Sequence, residues 1–163
     1  MEVLWAPWRV DYILKNTKEN GCIFCPREQE NEPERSLLFR GKHSLVMMNK
    51  YPYINGHLLV APIRHVASLD QLEETEKMVL LTMVSHAVTI LKKSMKAEGF
   101  NVGLNLGKVA GAGVEAHLHF HVVPRWKGDT NFMTVFGDVR VIPEHMEQTY
   151  ARLLPFFQEV KEG

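Results

Sequence analysis

The run His117-Leu118-His119-Phe120-His121-Val122-Val123 decides how this chain is read. Histidines alternate with apolar residues at period 2. In a strand, His117, His119 and His121 would therefore share one face, and Leu118, Phe120 and Val122 the other. Successive imidazoles would stand about 6.6 Å apart along that face. The Leu/Phe/Val face belongs in a core, so the histidine face must look into a site. A merely polar strand face is a poor account of three aligned imidazoles. Two chemistries suit them better: a metal cluster built on the strand, or a nucleophilic histidine whose polar neighbours grip an anion.

Working outward, Phe100 to Leu106 predicts a strand, and a glycine-rich loop from Gly107 to Gly113 joins it to the histidine run. Further upstream, Leu37-Leu38-Phe39 and Ser44 to Met48 flank a Gly41-Lys42 turn and predict a hairpin. His57 to Pro62 predicts a third strand after the turn-like Pro52 to Gly56. Ser68 with Gln71 has the spacing of a capping box. After it, Leu72, Val79, Met83, Ala87, Ile90 and Leu91 recur at helical spacing to about Ala97, with Met78, Met83 and Met95 expected in the core stripe. Residues 144–160 predict a C-terminal helix. Hairpin strands with one long helix and a C-terminal helix argue for an antiparallel α+β fold.

At 163 residues, the chain is long enough for one domain with a real core. That domain is expected to span 1–163, with residues 1–20, rich in aromatics (Trp5, Trp8, Tyr12), as an N-terminal extension. Lys+Arg and Asp+Glu both total 19, so no global field recruits nucleic acid or membrane, and an anionic ligand must be held locally. No apolar run approaches the roughly 20 residues that span a bilayer. The first residues have neither a basic nor an apolar leader region, so a cytoplasmic location is expected.

Cys22 and Cys25 are the two cysteines. In a cytoplasmic chain, C-x-x-C reads as metal or redox chemistry rather than a structural disulfide. Zinc takes four tetrahedral Cys and His ligands, and its structural sites often begin from this spacing. His65, at a strand end, is the candidate third ligand, and His117 the fourth. A thioredoxin-like role fits less well, because the pair does not lie in a βαβ pattern. With His117 assigned to metal, His119 and His121 remain. Neutral imidazole can attack phosphorus and form a phosphoramidate that later hydrolyses. A carbonyl accepting its Nδ1 proton would leave Nε2 free to attack, and glycine-loop amides could approach the same phosphates.

The run fits the H-φ-H-φ-H-φ-φ signature, φ being apolar, and in this the chain resembles the histidine triad (HIT) superfamily. Met48-Asn49, Gly56-His57-Leu58-Leu59-Val60 and the Asn105–Gly113 loop extend the match over most of residues 22–125. The resemblance implies an antiparallel sheet with a long helix, paired across a twofold axis into a homodimer with a continuous ten-stranded sheet. It implies a nucleotide hydrolase or transferase in which the middle histidine, His119, forms a nucleotidyl intermediate. His121 would contact the phosphates, and His57 would lie behind the catalytic strand. Asn49 would bind ribose, and Asn105, with the Gly107 to Gly113 loop, would lie near the phosphates. Structural zinc would sit on Cys22, Cys25, His65 and His117.

His121 stands where the sugar-1-phosphate transferase branch has glutamine, which favours hydrolysis or phosphorolysis. The stretches Leu4-Trp5-Ala6-Pro7-Trp8-Arg9 and Pro124 to Phe132 look like bacterial diadenosine tetraphosphate phosphorylases or hydrolases. Phosphoramidase members usually carry glutamine four positions before the first histidine, where this chain has Gly113. The competing expectations are an adenosine phosphoramidase and a non-catalytic, zinc-stabilised nucleotide-binding regulator.

Overall fold

The apolar runs form strands in the order the sequence predicts. The computed structural model describes residues 21–26, 36–129 and 142–162. The expected N-terminal extension at 1–20 and the charged stretch from Arg27 to Arg35 lie outside them. The strands are β1 (Leu37–Arg40), β2 (Ser44–Met48), β3 (Leu58–Pro62), β4 (Gly99–Leu104) and β5 (Phe120–Arg125). They make one antiparallel sheet in the order β1-β2-β3-β5-β4. The helices are α1 (Glu74–Met95) and α2 (Met146–Gln158). The expected α+β class is observed.

β2 and β3 are buried on both faces, which is why they read as continuous apolar runs. Their alternate residues enter two different cores. Val46, Met48, Leu58, Val60 and Val122 face the helices and pack with Leu80, Met83, Ala87, Leu91, Leu153 and Phe157. Leu45, Met47, Leu59 and Ala61 face the other way, onto Phe24. Both helices thus cover one side of the sheet. The other side carries the Cys22–Cys25 knuckle and the histidines.

Several expectations need correction. Only His121 of the triad lies in a paired strand, because β5 begins at Phe120. The Leu118 amide leaves the ladder and donates to the Val66 carbonyl at 2.6 Å. The third strand begins at Leu58 rather than His57, whose amide is bonded back to Ile54 O in the preceding turn. The fourth strand ends at Leu104, opposite Phe120, where the paired part of β5 begins. The Ser68–Gln71 box opens a short 3-10 helix, Leu69–Gln71. The long helix has a box of its own, formed by Glu73 and Glu76. Met78, expected in the core, is 70% exposed, because Leu80 is the residue of the Met78–Leu81 run that α1 turns fully inward. The C-terminal helix occupies Met146–Gln158 within the expected 144–160.

By length and hydropathy alone, α1 is long and apolar enough to cross a membrane. Its apolar stripe from Leu80 to Leu91 is packed on the sheet, as in the core helix of a globular domain.

The exit of β3 is tied to the start of α1. Arg64 donates from Nε and Nη2 to the Glu76 carboxylate at 2.8 and 2.6 Å, and from Nη2 to Gln71 O. The Glu73 amide also donates to Glu76. The Arg64 hydrogen bond, opposed by burial and helped by that amide, holds the Glu76 carboxyl down at about 2. A depressed carboxyl stabilises the fold above its ordinary range near 4.5 and loses that contribution as pH falls toward 2. Glu76→Gln is expected to cost about 1–3 kcal/mol. It should also flatten the acid limb of stability, which urea unfolding at neutral and acidic pH would measure.

Candidate active site and metal centre

The site is assembled from the β3 exit, the segment leading into β5, the turn before β3 and the cysteine knuckle. Cys22, Cys25, His65 and His117 offer one donor atom each, all within 4.8 Å of one another. Cys22 Sγ lies 3.3 Å from His117 Nδ1, and Cys25 Sγ lies 3.3 Å from His65 Nδ1 and 3.8 Å from His117 Nδ1. A tetrahedral zinc with ordinary Zn–S and Zn–N bonds would separate its ligand atoms by roughly 3.3–3.8 Å, so the donor set fits the ion. His117 is also oriented for it. Its Nε2–H donates to the Pro62 carbonyl at 2.9 Å, which turns an unprotonated Nδ1 toward the sulfurs. Burial lowers the pKa of His117, keeping the imidazole in the neutral form a metal needs. Among the described residues, His119 and His121 join no such cluster.

His119 is buried, and its Nδ1–H donates to the backbone carbonyl of His117 at 2.8 Å. This fixes the tautomer with the lone pair on Nε2. Burial also lowers the pKa of His119, so the ring stays neutral and nucleophilic.

His57 and His121 form a directed pair. The Tyr53 amide donates to His57 Nδ1 at 3.1 Å, which obliges that nitrogen to be the acceptor. His57 Nε2–H then donates to His121 Nδ1 at 2.9 Å. His121 must in turn carry its proton on Nε2, a buried atom with no hydrogen-bond partner among the described residues. An orphaned buried donor beside a nucleophile is a place for an anionic oxygen. The His119 and His121 rings are 5.0 Å apart, edge to face.

Burial, joined by repulsion from His119 once that ring also takes up a proton, pushes His121 down to about 4. Unfolding restores the ordinary value of 6.5. The unfolded chain therefore binds the extra proton, and stability falls as pH drops below 6.5 toward 4. His121→Asn should reduce that slope, as denaturant midpoints at pH 7 and 5 would show.

Of the other sequence-predicted residues, Asn49 lies against His57, while Asn105 and the glycine loop are bonded to one another. Asn49 accepts from the Tyr51 amide at 2.9 Å and places Nδ2 3.3 Å from His57 Nδ1, so it buttresses the turn that orients His57. Asn105 spans the glycine loop, its Nδ2 donating to Gly111 O at 3.4 Å. Gly107 and Gly111 have positive φ (80° and 86°), which lets the loop fold back on itself. Added to Gly113, a Cβ would meet nothing within 4 Å.

The HIT domain family model matches residues 30–128. The chain belongs to the HIT family. It is 37% identical over 157 residues to a Mycobacterium tuberculosis protein named AP-4-A phosphorylase, covering 91% of this chain and 80% of that one. It is 36% identical over 93 residues to the Schizosaccharomyces pombe asymmetrical bis(5'-nucleosyl)-tetraphosphatase, covering 57% of this chain and 50% of the other. Among solved structures, it resembles a Zn-bound histidine triad protein from Mycobacterium smegmatis. That match has a TM-score of 0.62 and 25% identity, and covers 76% of this chain and 84% of the other.

Two residues of this HIT site escaped the sequence reading. Phe24, fully buried, packs against both His117 of the four-donor cluster and His119, its ring 5.0 Å from the first and 4.9 Å from the second. Tyr53, 50% exposed, stacks on His57 at 4.8 Å and covers the His57–His121 pair. The signal for Phe24 was its place inside C-x-x-C. For Tyr53 there was only an aromatic in a turn.

Proposed function

We propose that this HIT protein cleaves dinucleoside polyphosphates of the diadenosine tetraphosphate type, through a nucleotidyl-histidine intermediate on His119. The observation that carries the reading is the pairing of tautomers: a lone pair on His119 Nε2 beside a proton on His121 Nε2. The first is a nucleophile for phosphorus, and the second a donor for a phosphate oxygen. The names of the two relatives supply the substrate class.

In the first half-reaction, His119 Nε2 attacks the α-phosphorus. A P–N bond forms while the P–O bond to the departing nucleotide breaks, and His121 Nε2–H donates to the oxygen that takes up the negative charge. His57 acts through His121, holding its tautomer. In the second half-reaction, an oxygen of water or of inorganic phosphate attacks the same phosphorus, the proton of an attacking water passes to solvent, and the electrons of the P–N bond return to His119. Positioning and charge stabilisation do most of the work. Asn49 is assigned to the ribose. The loop from Gly107 to Gly113, with Asn105, is assigned to the phosphates, since it leaves the sheet where Leu104 pairs with Phe120, next to the nucleophile.

Zinc on Cys22, Cys25, His65 and His117 is assigned a structural part, bridging the knuckle to the segment that carries His119. A homodimer with a continuous sheet is supported by β4, an edge strand that exposes Val102. A cytoplasmic location remains part of the same reading.

The test is incubation with diadenosine tetraphosphate, with and without inorganic phosphate, followed by separation of the nucleotide products. ADP plus ATP appearing only with phosphate identifies a phosphorylase, and AMP plus ATP regardless of phosphate a hydrolase. No turnover in either condition overturns the dinucleotide reading and turns attention to P–N substrates. The open space at Gly113 is room for a second phosphate. Gly113→Gln is therefore expected to fold and to shift the product ratio toward hydrolysis, and an unchanged ratio would refute that role.

A further inference from the structure

Away from the histidine site, the most complete set of converging donors among the described residues lies in the turn between β1 and β2. The carboxylate of Glu162 accepts hydrogen bonds from three successive backbone amides, those of Lys42, His43 (2.9 Å) and Ser44 (2.7 Å). It also accepts one from the Ser44 hydroxyl at 2.6 Å. Ser44 is wholly buried. The donors and their acceptor are 118 to 120 residues apart in sequence. Consecutive amides aimed at one point form a concavity that binds anions. The turn is also shaped to its occupant: a Cβ on Gly41 would stand 2.5 Å from Glu162 Cδ.

We propose that the Lys42–Ser44 turn is an oxyanion receptor for carboxylate or phosphate, that the Glu162 side chain is its resident ligand, and that inorganic phosphate occupies it once Glu162 is withdrawn. Three amides and a hydroxyl satisfy two oxygens of a phosphate as well as those of a carboxylate. In the native chain, the tethered carboxylate acts at a high effective concentration, so free anion competes poorly. The occupied receptor latches the segment after α2 to the hairpin. The hairpin is bound in turn to the end of β3, where the Ile63 amide donates to His43 O at 2.9 Å. The latch thus reaches the strand end from which His65 projects, by a route separate from the histidine chemistry.

The experiment follows backbone amide resonances of the full chain, wild type and Glu162→Gln, during titration with inorganic phosphate. In the variant, the amides of Lys42, His43 and Ser44 are expected to shift saturably, while in the wild type they stay in place. Phosphate entering the histidine site would be read separately, at the amides of residues 107–113. If the three amides of the variant do not respond, or respond identically in the wild type, the receptor assignment is overturned. Glu162→Asp, which keeps the charge on a shorter stem, serves if Glu162→Gln does not fold. Its three amides should shift at phosphate concentrations that leave those of the wild type in place, and an equal response would refute the proposal.

Discussion

His119→Ala should lower kcat for diadenosine tetraphosphate cleavage by about 10⁴-fold or more, with nucleotide affinity nearly unchanged. In the proposed mechanism the substitution removes the atom that forms the P–N bond, and neither His117 nor His121 can take its place. His121 offers a proton rather than a lone pair at Nε2, because the chain from the Tyr53 amide through His57 sets its tautomer. His117 turns its lone pair toward the cysteines. Steady-state kinetics with equilibrium nucleotide binding would separate lost chemistry from lost affinity. Retained turnover would show that the intermediate does not form on His119. His57→Ala should be milder, since His57 only orients His121.

Stripping the metal should unfold the site rather than merely silence it. An ion held at about a thousandfold above its Kd contributes roughly 4 kcal/mol to the folded state. For a chain of this size, that corresponds to a fall in Tm of about 8–16 °C. Chelation, or Cys22→Ser, is expected to produce such a shift with activity falling in parallel. The link is Phe24, packed against His117 and His119: release of the knuckle would withdraw the ring that supports the proposed nucleophile. Complete loss of turnover at an unchanged Tm would mean that the metal acts in the chemistry itself. Thermal scans and assays on the same chelated sample distinguish the outcomes.

The alternation at 117–123 already sorted Leu118 and Val122 into the core, because period 2 dictates faces wherever the backbone is extended, whether or not it is paired. C-x-x-C and two histidines identified the four donors that the fold brings together, since few residue types can hold zinc. The HIT resemblance assigned the nucleophile's role to His119, the assignment on which the proposed mechanism rests. Four successive apolar residues, Met78 to Leu81, could not reveal which of them α1 turns inward. The β5 boundary was equally hidden, because Leu118 gives its amide to Val66, far from it in sequence.

Tertiary structure alone decided how the histidines are wired. Local periodicity reports which way a side chain points and says nothing of what it meets. His57 and His121 are 64 residues apart, and they meet because the β3–β5 register sets Leu59 opposite His121. One backbone amide in the turn before β3 then determines which nitrogen of His57 and of His121 carries a proton, as the His117 carbonyl does for His119, and so which imidazole offers a lone pair and which a donor.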